Sequence, residues 1–311
     1  MKAVVILNDG SRVGLPVLTK WQFIHTDGAS SDSFSVGFRW DSSWEKILSR
    51  GMRLEAWEGD TQRFCGIVDE YEVTRDDRGM TGEIYGRGLA GLLMDNEVPE
   101  RVYYWVRLKD ILRNYAEPYN LPAVQYGENY WLSTYAVDYG TDCWDALSGF
   151  CLWAAGVQPR FLPDGTLLIS SKTGTRRSLD PNEVEKTQWR QTRYGVYSRV
   201  MAQYVGTYYE QQVDNGRFQK LGGCATHRMT VPRKNRCRAG LSSPNQVLMD
   251  SQKEFRTLEV TLPKLFWAEP MDIVTVNLPK MGISGDFLVT ETENSLGDGG
   301  KQCRLRMREM S

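Results

Sequence analysis

RGMRLEAWEGDTQRFCGIVDEYEVT (Arg50–Thr74) and EPMDIVTVNLPKMGISGDFLVTETEN (Glu269–Asn294) share one layout. In each, a Met follows a turn residue, Gly51 or Pro270, and an alternating run follows the Met. Met52 to Gly66 is fourteen residues, and so is Met271 to Gly285. Past the glycine both copies run as a strand, Ile67–Thr74 and Asp286–Glu293. A polar Gly/Asp turn and another alternating strand follow, Thr81–Arg87 and Gln302–Arg308. A shared spacing with the same sequel marks an internal repeat. The two segments are expected to be equivalent strands of two separate barrels, with Met52 matching Met271 and Gly66 matching Gly285.

Working outward, residues 1–92 read as β. Ala3–Leu7 ends at the turn Asn8-Asp9-Gly10, a good hairpin signal. Val17–His25 and Ser33–Trp40 alternate, the latter with Phe34, Val36, Phe38 and Trp40 on one face. Arg53–Trp57, Arg63–Thr74 and Thr81–Arg87 bring the number to six or seven antiparallel strands, enough for a small barrel or sandwich. One helix is expected at Ser43–Leu48. Residues 93–185 mix helix and strand as an α+β middle domain. Leu108, Ile111, Leu112 and Tyr115 have helical spacing, and Pro118 stops that helix. A second helix carries Trp144, Leu147, Phe150, Cys151 and Ala154, with Thr141 or Asp142 as cap and Gly156 at its C-terminal end. A hairpin turns at Pro163-Asp164-Gly165, and the polar stretch 172–186 reads as a domain junction. Residues 186–311 are the second barrel, with an insertion near 206–255. There Tyr194–Tyr209 is strand-like, Glu210–Arg238 is less regular, a helix starts near Pro244, and Arg256–Leu262 alternates. The fold class is thus mainly β: two similar small antiparallel β-barrels linked by an α+β middle domain.

The totals exclude several functions. The 311 residues carry 38 Lys plus Arg against 39 Asp plus Glu, so no bulk charge draws the chain to nucleic acid or an anionic membrane. No apolar run approaches the ~20 residues of a spanning helix. The N-terminal apolar run, broken at Asn8, is too short for a signal-peptide core. Six cysteines without a C-x-x-C pair read as reduced thiols of a protein made in a cytoplasm.

Candidate chemistry is sparse. Only His25 and His227 could serve a nucleophile as base, and neither has a local signature. No metalloprotease motif, phosphate loop or dinucleotide fingerprint occurs, and no cofactor is expected. Cys224, His227 and Cys237 form the single metal-like cluster, one ligand short of a closed zinc site; loop residues with incidental Cys and His are the preferred reading. Cys143 and Cys151 share a helix face as core residues. Asp69 and Glu70 point to opposite faces of a strand, and Asp142 is a helix cap, which leaves no paired carboxylates for glycan hydrolysis. The basic run Arg228, Arg233, Lys234, Arg236 and Arg238 has no aromatic between its ends and reads as a solvated loop.

The order of motifs resembles the baseplate hub, or tail-tube initiator, of contractile phage tails and related injection particles. Phe64-Cys-Gly-Ile-Val-Asp69 looks like that family's first-barrel strand, and Ile84–Asp95 like its exit from that barrel. Trp144–Leu147 with Pro163–Ile169 looks like its middle helix and hairpin. Pro270–Val276 and Gly282–Val289 look like its last barrel, with Met271 where the family usually has Gly. Within that family the chain looks like the short hubs of Gram-positive prophages and phage-tail bacteriocins.

The resemblance implies a non-enzymatic homotrimer whose two barrels per subunit make a ring of six. That ring would match a hexameric tail tube above and a trimeric central spike below, and would nucleate the tube. Implied partners are the tube protein, the spike, the tape measure and a wedge or LysM-type tail protein. DNA would only pass through the lumen, with no membrane contact. The protein would be made in a bacterial cytoplasm and end in a virion baseplate or phage-tail-like particle. Met52, Gly66, Met271 and Gly285 become interface candidates. A tail-associated peptidoglycan hydrolase and a carbohydrate- or receptor-binding β protein stay open as alternatives.

Overall fold

The computed structural model describes all residues except 29, 31, 78, 207–209, 232–236 and 311. The first β unit holds β1 (Lys2–Leu7), β2 (Arg12–Gly14), β3 (Leu18–Thr26), β4 (Ser33–Arg39), β5 (Gly51–Glu58), β6 (Thr61–Asp76) and β7 (Gly79–Gly88), with helix α1 (Ser43–Leu48) between β4 and β5. Its strands pair antiparallel in the order β2-β1-β5-β6-β7-β4-β3. Alternation turns Val5, Phe23, Val36, Phe38, Leu54 and Ile84 inward, where all are fully buried. Burying each large side chain contributes about 1.5–3 kcal/mol.

The middle part holds α2 (Ala90–Met94), β8 (Arg101–Arg107), α3 (Leu108–Tyr115), β9 (Ala123–Tyr126), β10 (Trp131–Val137), α4 (Cys143–Ala155), β11 (Arg160–Phe161) and β12 (Thr166–Ile169). Both expected helices form. Asp142 caps α4 by accepting from the Asp145 N–H at 2.7 Å, and Gly156 ends it at φ 67°. Cys143 and Cys151 lie in the core between the elements. Strands β8, β9 and β10 were not expected. In β8 only Tyr103 and Val106 face inward, because Trp105 at φ 54° breaks the alternation.

The last part holds β13 (Arg176–Ser178), β14 (Lys186–Gln191), β15 (Arg199–Tyr204), β16 (Glu210–Asp214), α5 (Gly216–Lys220), β17 (Thr226–Val231), β18 (Cys237–Arg238), α6 (Pro244–Gln252), β19 (Arg256–Leu262), β20 (Ile273–Leu278), β21 (Ile283–Gly297) and β22 (Gly300–Glu309). The second β unit is β14-β19-β22-β21-β20, with β13 parallel to β20. The run Tyr194–Tyr209 is not a strand of it. Its described strand, β15, pairs instead with β16 and β17 in a separate sheet, so the stretch expected to be irregular has its own strands.

The two repeats match strand for strand, in a different register from the Met-to-Gly spacing. From the turn, β6 and β7 make seven ladder pairs (Asp76/Gly79 to Glu70/Tyr85), skip Asp69, and make three more to Gly66/Gly88. β21 and β22 make seven (Gly297/Gly300 to Glu291/Arg306), skip Thr290, and make three more to Phe287/Glu309. Gly66 therefore corresponds to Phe287, and Gly285 to Phe64. Across the next ladder Leu54 opposes Gly66 and Val274 opposes Phe287, so Met52 corresponds to Asp272 and Met271 to Gly51. The shared glycines are a coincidence of composition. The units are also not separate: β3 pairs antiparallel with β21 and joins both into one 13-stranded sheet.

Candidate assembly interface

The joint between the units is built from polar and aromatic side chains of both. β3 runs against the outer arm of β21, with Trp21 opposite Leu296, Phe23 opposite Asn294 and His25 opposite Thr292. Trp21 stacks on Phe23 at 5.3 Å and on Trp267 at 6.3 Å, and Phe23 stacks on Phe64 at 5.4 Å. The Arg63 guanidinium sits 4.5 Å over Trp267. Asn294 is buried and bonded through both ends of its amide: its side-chain oxygen accepts from Phe266 N–H at 3.0 Å, and its amide donates to Phe266 O at 3.2 Å. The Asn thus replaces a ladder contact for the Leu265–Ala268 loop, at no cost in unsatisfied groups.

A buried polar cluster lies at the end of this joint. The His25 Nε2–H donates to Arg63 O at 3.0 Å, which leaves Nδ1 facing the Asp32 carboxyl at 4.0 Å. Burial lowers the His25 pKa to about 4 and keeps the ring neutral, so the pair is not an ion pair. Burial pushes Asp32 up to about 7, against hydrogen bonds from the Thr26 N–H and hydroxyl that favour its charged form. Arg160, also buried, donates to Pro270 O. Asp272 accepts from Thr175 N–H at 2.6 Å, Arg177 at 2.8 Å and Glu269 N–H at 3.1 Å, and so ties β13 to the second unit. These groups fasten elements together, and each carboxylate is engaged structurally.

The four interface candidates are scattered. Met52 lies on β5 and is 55% exposed. Gly66 is inside, where a Cβ would stand 2.3 Å from Arg87 O, so its role is close strand approach. Met271 holds φ 73°, in the left-handed region that favours glycine. Gly285 has φ 138° and open space around it. The metal-like cluster is taken apart. Cys237 pairs with Tyr135 in the middle sheet, Cys224 is exposed in a loop, and His227 stacks on Tyr197 at 4.7 Å. Among the described residues no three His, Cys, Asp or Glu side chains gather around a metal-sized site. Asp69, the extra residue of the β6 bulge, is clamped by Arg87 together with Asp95. Of the basic run, residues 233, 234 and 236 lie outside the described residues, and Arg238 pairs with Asp138 at 3.2 Å.

Two surfaces were missed in the sequence. Trp105 and Trp131 stack at 5.4 Å on the middle sheet while 72% and 57% exposed. The strand β14 ends the large sheet and pairs only with β19 among the described residues. Its one cue was Trp189, flanked by polar residues on both sides.

Solved structures with this architecture carry one theme. A tail protein from Neisseria meningitidis MC58 matches with TM-score 0.75 at 20% identity, over 99% of this chain and 96% of that one. The fold is that of a phage tail protein. The 43 kDa tail protein of prophage MuSo2 from Shewanella oneidensis matches with TM-score 0.74 at 16% identity, over 99% of this chain and 98% of its own. A type VI secretion component of E. coli, described as structurally similar to the T4 bacteriophage tail proteins gp27 and gp5, matches with TM-score 0.61 at 10% identity, over 94% and 74%. No protein-family model and no curated protein matches the chain. This tail-protein fold is mainly β, as the alternation required, and none of its described helices is long and apolar enough to cross a membrane.

Proposed function

We propose that the chain is a structural hub of a phage or phage-like tail, working as a homotrimer between a hexameric tube and a trimeric spike. The observation that carries this reading is the matched pair of hairpins, with the same ladder, the same bulge position and the same neighbouring strands. Two copies of one β unit per subunit let a threefold assembly present six similar edges, which is the geometry a symmetry adaptor needs. The ring edge templates tube polymerisation, and its centre passes the tape measure and then DNA. Wedge-type and LysM-type tail proteins are the remaining partners. Of Met52, Gly66, Met271 and Gly285, Met52 on β5 has the exposed side chain that would meet a neighbour. We cut the chain into 1–92, 93–185 and 186–311 as two tube-forming units around a spacer, with β13 (Arg176–Ser178) reaching from the spacer to β20 of the second unit. The protein acts by binding, without catalysis, after synthesis in a bacterial cytoplasm. A reconstruction of the tail particle tests this. Three copies between tube and spike are expected, and copies at a fibre tip would overturn it.

A further inference from the structure

In the second unit, the arm of β21 from Glu291 to Leu296 is an interior strand, with β22 on one side and β3 on the other. The equivalent arm of the first unit, Glu70–Arg75 of β6, has β7 on one side and no described strand on the other. Glu70, Glu72, Val73, Thr74 and Arg75 are exposed there. The strand that would fill the gap has its own equivalent. Ser33 opposes Arg87 as Thr257 opposes Arg308, which matches β4 to β19. Val36 then corresponds to Val260, and their partners Trp21 and Thr187 match β3 to β14. Each molecule therefore carries one filled copy of this joint and both halves of an unfilled copy.

We propose that the β14 edge of one copy of the chain docks antiparallel on the β6 arm of the next copy, in the register that β3 takes on β21. The proposal rests on the hub reading and names the contact that would close its ring. Carrying the register over puts Tyr71 opposite Gln191, Glu72 opposite Arg190, Val73 opposite Trp189 and Thr74 opposite Gln188. The pairs complement each other. A carboxylate meets a guanidinium at Glu72 and Arg190. Val73, 39% exposed, meets Trp189, whose ring already packs edge-on against Phe287 at 6.1 Å. Unpaired edges are templates for strand addition, and charges on them hold off wrong partners. Opposite charges at one register position then select the right one. The two edges are different surfaces, so the contact is head-to-tail and makes a ring when its rotation closes.

The test uses the full chain with Thr74→Cys and Gln188→Cys, and the exposed native thiol removed by Cys224→Ser. Oxidation is run on the purified chain and on tail particles carrying the same variants. Covalent ladders ending at the ring are expected, and neither single-cysteine variant should give them. Glu72→Arg should weaken self-association by about tenfold, and adding Arg190→Glu should restore it. Assembly by native mass with no 74–188 bond, and with no effect of Glu72→Arg, would overturn the edge contact and leave the hub reading standing. A 74–188 ring in copies located at a fibre tip would do the reverse. No bond in either preparation overturns the contact.

Discussion

The hairpins β6–β7 and β21–β22 have one backbone plan and two chemistries. In the first, Phe34 opposes Gly86 and Phe38 opposes Gly82. In the second, the matching pairs are Leu258 with Met307 and Leu262 with Cys303. A large residue against none has become two of medium size, while the pair between them, Val36 with Ile84 or Val260 with Leu305, hardly changes. All ten non-glycine members are buried at 4% or less. The ladder fixes where side chains meet, and the core fixes only the volume they must fill together. The arms differ for another reason. Thr292 and Asn294 are buried under β3, and their counterparts Tyr71 and Val73 are half-buried and exposed.

Removing an aromatic from the first unit should break the comparison most severely. Phe64 contacts Phe23, Phe34 and His25 at ring separations of 5.0–5.4 Å, and its counterpart is Gly285. Phe64→Ala is expected to cost about 3–5 kcal/mol in denaturant unfolding through lost packing, and Gly285→Ala about 1–3 kcal/mol through backbone strain at φ 138°. Should Phe64→Ala cost under about 1 kcal/mol, the aromatic cluster is not what holds the first unit.

Volume exchange is the next test. A Cβ at Gly82 would lie 2.5 Å from the Trp40 ring and 3.1 Å from Phe38, both of them side chains. Gly82→Cys should destabilise by about 1–3 kcal/mol, and Phe38→Leu should recover part of that, as the second unit's Leu262–Cys303 pair implies. Strictly additive costs would show that the two units fill their cores independently of the pairing.

Much of this plan was legible. Alternation located β3, β4, β19 and the long hairpin strands, and helical spacing located α3 and α4, the second also by its cap residues. The register of the repeat was not, because two glycines at equal spacing serve different needs. Gly66 admits Arg87 O, and Gly285 takes φ 138°. A bulge at Asp69 or Thr290 leaves no mark in composition, since any residue can be the skipped one. β14 was invisible for a related reason: an edge strand shows solvent on most sides, and only Thr187 and Trp189 turn inward. The β3–β21 joint depends on strands from opposite ends of the chain, and no local pattern encodes such a pairing.

The polar cluster of the first unit gives a pH test. Asp32 rises from 3.8 to about 7 on folding, so its penalty is absent below about pH 4, grows between, and is complete above 7. His25 falls from 6.5 to about 4, so its neutral ring favours the fold above pH 6.5, and that favour is lost as pH drops toward 4. The two slopes oppose each other. Asp32→Asn should raise stability above pH 7 relative to the native chain, and His25→Gln should remove the loss that opposes the Asp32 term, so that stability rises as pH falls from 6.5 to 4. Unfolding midpoints across that range would read both. Parallel profiles for all three proteins would remove these groups from the balance.

The smallest effect is expected where the two units differ only in backbone freedom. Met271 stands at φ 73°, and its counterpart Gly51 shows no positive φ. A side chain in the left-handed region costs about 1 kcal/mol, and Met271→Gly would return that. It would also surrender the half-buried thioether and add chain entropy to the unfolded state. The terms nearly cancel, so the change should lie within about 1 kcal/mol of zero, measured by thermal unfolding. Met271→Ala separates them, because it keeps the backbone cost and loses the packing. It should be the less stable of the two variants. If alanine is instead the better residue, the turn before β20 tolerates a Cβ without strain, and Met271 is held for its packing alone.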